Sequence, residues 1–100
     1  MTHKESQIKR AVKKYLDEQA DCWHIKVTAC SRSGVPDIIG CCRGFFFAFE
    51  LKTERGRPTK IQLHERSEIQ AAMGSAEMIN SVDGARTVIE LIRKRAQGQG

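Results

Sequence analysis

An α/β fold with the element order α-β-β-β-α-β-α is predicted for this chain by three observations. Apolar residues recur at helical spacing near both ends. Between about 22 and 52 the pattern alternates instead with a period of two, interrupted by two turn-forming stretches. A third helical pattern, starting near 59, is followed by one more short strand-like run.

The first helix runs from Thr2 to Gln19. Ile8, Ala11, Val12, Tyr15 and Leu16 follow the i, i+3, i+4, i+7, i+8 spacing of one apolar face, while Lys4, Arg10, Lys13, Lys14 and Asp17 lie off it. Glu5 sits on the same stripe one turn upstream. With Thr2 it has the spacing of a capping box, and a carboxylate there can also point into a cleft. Cys22 to Thr28 reads as a strand in which Trp23, Ile25 and Val27 alternate against His24, Lys26 and Thr28. Ala29 to Gly34 is a small, polar loop with one arginine, Arg32, open either to phosphate or to solvent.

Val35 to Cys42 is a short apolar strand that tolerates Pro36 because it lies at the strand start. Arg43-Gly44 turns the chain, and Phe45 to Lys52 returns as the hairpin partner. In that strand Phe45, Phe47, Phe49 and Leu51 share one face, and Phe46, Ala48, Glu50 and Lys52 the other. A basic, glycine-containing loop, Thr53 to Arg57, leads to a second helix opened by Pro58 and Thr59. Thr59 and Gln62 again have capping-box spacing, Ile61, Ile69, Ala72 and Met73 fit a buried face, and Gly74 ends the helix. Ser75 to Asn80 is a fourth strand. Ser81 caps a third helix in which Ala85, Val88, Ile89 and Ile92 repeat, with Arg93-Lys94-Arg95 near its C-terminus, where cations suit the dipole. Residues 1–96 then make one domain, and 97–100 a disordered tail.

A formal charge of +5 on 100 residues gives a field that favours anionic partners, nucleic acid and anionic membrane being the two obvious ones. The longest apolar run, Phe45 to Phe49, is far too short to span a bilayer, and the polar N-terminus lacks a signal-peptide core. A cytoplasmic protein that is not secreted and not membrane-bound is expected, in the host cytoplasm or nucleoid if the chain is phage-encoded. Cys22, Cys30, Cys41 and Cys42 contain no CxxC pair, which disfavours zinc and favours reduced, structural thiols. No organic cofactor is expected.

The residues that carry chemistry are Asp37, Glu50 and Lys52. Hydrolysis of a phosphodiester requires charge neutralisation at the phosphoryl oxygens, an activated water and a stabilised leaving oxygen, and a hard cation held by carboxylates contributes to all three. Magnesium commonly needs only one or two carboxylates. Asp37 and Glu50, on neighbouring strands of a tight hairpin, can converge on one ion, and Lys52 faces the same way as Glu50, where it can position or deprotonate water. Glu-x-Lys alone is also a common solvated pair on a strand face.

Pro36-Asp37 and Glu50-Leu51-Lys52 resemble the signature of the PD-(D/E)XK nuclease superfamily. More narrowly, Glu5 in the first helix, the Gly34-Val35-Pro36-Asp37 turn, Glu50-Leu51-Lys52 before the Arg55-Gly56-Arg57 loop, and Gln62 early in the next helix resemble the VRR-NUC family of virus-type replication and repair nucleases. The resemblance implies a restriction-endonuclease-like core, a mixed sheet flanked by helices. It implies Mg²⁺ or Mn²⁺ held by Asp37, Glu50 and the main-chain carbonyl of Leu51, completed by Glu5 directly or through water. Lys52 would be the catalytic lysine and Gln62 the helix residue reaching the site. Small stand-alone members, of phage or bacterial origin, are similar to Holliday-junction resolvases, which implies a homodimer acting on branched DNA, a four-way junction or a flap. Lys26, Arg32, Arg55, Arg57 and Lys60 would then contact phosphates. The alternatives are a non-catalytic DNA-binding module, and a nuclease subunit active only with a replication or repair partner.

Overall fold

The computed structural model describes residues 4–98, in which α1 (Glu5–Asp17), β1 (Cys22–Lys26), β2 (Ile38–Cys42), β3 (Phe45–Leu51), α2 (Lys60–Ala71), β4 (Ser75–Ile79) and α3 (Val82–Gly98) follow the expected order. The four strands form one mixed sheet in the order β1-β2-β3-β4. The first three pair antiparallel, and β4 runs parallel to β3. A parallel pair needs a crossover, which α2 provides. Arg43 and Gly44, with φ of 51° and 87°, form the two-residue turn between β2 and β3, whose double positive φ matches the twist of a hairpin.

The strands' period of two separates the faces. Ile38, Cys42, Phe47, Phe49, Leu51 and Ile79 bury one face against Ile8, Val12, Tyr15 and Leu16 of α1 and Ala85, Ile89 and Ile92 of α3. Phe47 and Phe49 lie at its centre, their ring centroids 4.9 Å apart. Arg93 ties the end of α3 to the start of β1 through two bonds to the Asp21 carboxylate, at 2.8 and 3.0 Å, which hold that acid far below the usual carboxylate range. No helix among the described residues is long and apolar enough to cross a membrane.

Several expectations are corrected. Thr2, the expected cap of the first helix, lies outside the described residues. The helix begins at Glu5 with Lys4 at the N-cap, and Gln7 Oε1 accepts the Lys4 backbone N–H at 3.0 Å, so Glu5 is the first helical residue rather than the third position of a box. Ala11, expected on the apolar face, is exposed. In β1 the apolar set faces outward, with Trp23 60% and Ile25 44% exposed, because β1 is an edge strand whose inner face is made by Cys22 and His24. The last helix carries on through Gln97 and Gly98, within the stretch expected to be a disordered tail.

The second helix differs most. Ile61, Ala72 and Met73, expected to be buried, are exposed, and Glu65 is its one buried residue. The helix docks through a polar stripe at i, i+3, i+4 and i+7, formed by Gln62, Glu65, Arg66 and Ile69. Arg66 donates to the Ala76 carbonyl and to Glu77, both at 3.1 Å, and Gln70 donates to the Ala76 carbonyl at 3.0 Å. The left-handed residue that ends the helix is Met73, with φ of 74°, not Gly74. Gly74 is required by crowding, since a Cβ there would lie 2.9 Å from Phe46 and Ile69. A methionine in the left-handed region is strained, so Met73→Gly is expected to stabilise the fold by about 1 kcal/mol, read as a higher urea midpoint at unchanged m-value.

Candidate active site

The hairpin register brings the two acids together. Ile38 pairs with Phe49, so Asp37, one residue before β2, lies beside Glu50. Gly34 sets the approach. Its φ of +85° belongs to glycine, and a Cβ there would lie 2.8 Å from the Ile61 carbonyl, so the loop before Asp37 presses directly on the start of α2. Arg32 secures the same loop: its guanidinium bonds the buried Glu65 carboxylate at 2.9 and 3.1 Å. Asp37 is then fixed from two sides. Its carbonyl accepts the Val27 N–H, and its Oδ2 accepts the Leu51 N–H, both at 2.8 Å.

Glu50 projects from the sheet face opposite Phe49, toward α2. Gln62 Nε2 donates to its Oε1 at 3.1 Å, and Lys52 Nζ lies 3.9 Å from the same oxygen. Gln62 is also a cap: its Oε1 accepts the Thr59 N–H at 2.9 Å while Thr59 Oγ1 accepts the Gln62 N–H at 3.2 Å. An amide has an acceptor and a donor end, so one side chain starts the helix and steers a site acid. Oε2 of Glu50 is buried without a partner. Burial first, then the negative charge of the nearby Asp37, and a smaller push from Glu5, raise the Glu50 carboxyl to about 7 against the opposing pull of Lys52.

These donors fit a divalent cation. A buried acceptor without a partner is costly, and a carboxyl pushed up by burial and by a neighbouring acid has a remedy in a positive ion.

The other expected residues are placed more loosely. Glu5 is exposed and reaches the site through Lys9, whose Nζ lies 4.0 Å from Glu5 Oε2 and 3.8 Å from Asp37 Oδ1. Lys26 lines the cleft beside Asp37. Arg55, Arg57 and Lys60 are exposed and make no described bond to the site acids. Arg32 is committed to Glu65, although its side chain is 68% exposed. Lys9 and Glu65 escaped the sequence reading. The four-residue spacing from Glu5 was the available signal for Lys9, whereas nothing local marks Glu65 as buried.

One further group of potential ligands exists among the described residues, Asp21 with Cys22 and Cys42, all within 4.8 Å of one another. Asp21 is already bonded by Arg93 and Arg43, and burial beside Cys42 pushes the Cys22 thiol up, so its sulfur stays neutral. This group is structural.

Two acids brought together at the end of a hairpin, with a lysine two residues past the second, are the arrangement expected of a PD-(D/E)XK nuclease, and comparison with known proteins puts the chain among the endonucleases of that superfamily. Residues 1–91 match the model of the archaeal Holliday junction resolvase family (Hjc), and the chain belongs to that family. A solved structure described as a VRR_NUC domain is similar in fold, with a TM-score of 0.74 at 23% identity over 86% of this chain and 94% of that chain. No curated protein sequence matches the chain.

Proposed function

We propose that this nuclease is a divalent-metal-dependent, structure-selective endodeoxyribonuclease that cuts branched DNA, four-way junctions above all, as a homodimer. The observation that carries the reading is the unpartnered Oε2 of Glu50 beside Asp37, with Lys52 close to the same carboxylate. Mg²⁺ or Mn²⁺ suits oxygen donors from Asp37, Glu50 and the Leu51 carbonyl, with Glu5 completing the set directly or through water. When bound, such an ion neutralises phosphoryl charge and acts as a Lewis acid.

The chain's own residues orient and restrain. The Leu51 N–H fixes Asp37 and Gln62 fixes one oxygen of Glu50, so the remaining oxygens keep constant directions. Lys52 holds an ammonium where it can orient the attacking water and oppose charge growing on the phosphoryl oxygens. Lys26, Arg55, Arg57 and Lys60 take backbone phosphates, with the spare donors of Arg32 beside them. The first turn of α2 has no acid and begins with Lys60, so an anion is the natural complement of that end of the helix. A cytoplasmic or nucleoid setting goes with this substrate.

Symmetric cutting of a junction requires two sites related by a two-fold axis, and one copy of this domain carries one. The outer sheet face supports pairing: Trp23, Cys41 and Phe46 are opposed in register across three strands, and Ile25 lies next to them, with Trp23 60% exposed. Trp23→Asp is expected to halve the mass seen by light scattering, and paired nicks should become single nicks. A dimer unchanged by this substitution would place the contact elsewhere.

The deciding experiment presents labelled four-way junction, flap and linear duplex to the purified protein with Mg²⁺, Mn²⁺ or EDTA. Paired, symmetric nicks in the junction, abolished by EDTA, are expected. Tight binding without cutting under any metal would leave a binding module or a nuclease that needs a partner.

A further inference from the structure

Ser6, Lys9, Arg10 and Lys13 fall at i, i+3, i+4 and i+7, one side of α1, and all four line a cleft of about 270 Å³ whose other walls include Lys26 and Asp37. The cleft shares no lining residue with the cavity beside Glu50 and Gln62, and Asp37 is the site acid on its wall. Its charges are unequally matched. Lys13 and His24 both bond Asp17, at 3.0 and 2.8 Å, and Lys9 lies between Glu5 and Asp37. The salt bridges among the described residues include neither Arg10 nor Lys26, both of which are exposed. Two uncompensated cations therefore flank a concave surface that ends at a site acid.

We infer that this cleft seats the sugar-phosphate backbone of the cut strand on one side of the scissile bond. Arg10 and Lys26 grip phosphates along the cleft, and Lys9 is its inner end. The inference rests on the nuclease reading above and adds a strand path to it. The length fits: α1 rises about 10 Å from Ser6 to Lys13, over which one DNA strand presents roughly three phosphates. The chemistry fits as well. A cation is repelled by the four basic side chains, whereas a phosphodiester finds ammonium and guanidinium donors with aliphatic stems behind them. Lys9 becomes an exchange point. Its ammonium faces the two acids in the free protein, and a phosphate arriving next to the scissile one offers it an equivalent anion, so binding costs little reorganisation there.

The test measures binding of four-way junction DNA in EDTA across a range of salt for wild type, Arg10→Ala, Lys26→Ala and the double variant. Lys94→Ala, at the opposite end of the molecule near the Arg95–Phe45 contact, serves as control. Each cleft substitution is expected to lower the slope of log K against log salt by about 1, and the double variant to lose about tenfold or more in affinity near 0.1 M salt; the control keeps the wild-type slope. The same proteins are then given junctions with an uncharged methylphosphonate on either side of the scissile phosphate. On one side the wild type should lose affinity and the double variant should lose little more, because the partner is already gone. Wild type that binds and cuts, with unchanged slopes in the variants or equal methylphosphonate losses in all proteins, overturns the cleft assignment alone. Wild type that neither binds nor cuts DNA overturns the nuclease reading and the cleft with it.

Discussion

Replacing Asp37 by Asn lowers strand cleavage on the order of 10³-fold, the rate equivalent of about 4 kcal/mol of lost charge stabilisation in the transition state. The substitution is nearly isosteric. An asparagine oxygen can still accept the Leu51 N–H that Asp37 receives at 2.8 Å, so the hairpin and the loop before it should keep their geometry. What disappears is the negative charge that faces Lys9 and presses on Glu50. Binding of a junction should survive, because removing an anion beside a phosphate does not weaken its attraction to the basic residues around it. Single-turnover cleavage measured beside binding separates the two effects. A loss below tenfold would remove Asp37 from the chemistry, and a collapsed melting temperature would make its role one of folding.

Glu50 carries the second large effect, and its sign differs between stability and activity. Its carboxyl sits at about 7 in the folded chain against an ordinary value of 4.5. Between these values the folded state holds a proton that the unfolded state has released. Without metal, stability therefore falls as pH rises from about 4.5 to about 7, by about 3 kcal/mol in total. Glu50→Gln abolishes this dependence and is expected to melt several degrees above wild type at pH 8 in EDTA, while losing cleavage. A divalent cation reverses the preference, since it needs the anion: affinity for Mn²⁺ should climb about tenfold per pH unit until pH 7 and then level off. Melts of both proteins at pH 5 and pH 8, with EDTA or Mn²⁺, check both halves. Equal pH dependence of the two proteins would show that Glu50 titrates normally.

The parts of the site that were legible in the sequence are those fixed by strand geometry. The Arg43-Gly44 turn sets the register, register places Asp37 beside Glu50, and the period of two turns Glu50 away from the Phe47 and Phe49 core. Gln62 reads in the sequence both as a cap and as a residue near the acids, and its side chain bonds both the Thr59 N–H and Glu50. Packing choices were not legible. Trp23 and Ile25 look like core residues, yet an edge strand lets them face outward. The helix beginning at Lys60 offers two possible stripes, and the one that meets the sheet is the more polar, because its partners are a carbonyl, an acid and an arginine contributed by distant segments. Lys9 joins Glu5 to Asp37 only through tertiary geometry, which spacing within one helix cannot supply.

That polar docking has a consequence for how the molecule breathes. A helix seated by hydrogen bonds and ion pairs, with few buried apolar contacts, opens at lower free energy than α1 or α3, whose stripes sit in the core. Its amide protons should exchange with solvent deuterium well ahead of theirs. Each opening would lift Gln62 from Glu50 and Glu65 from Arg32 together, releasing one site acid and the loop that holds the other. Warming would then silence this nuclease through a local, reversible melting of one crossover before the rest of the chain unfolds.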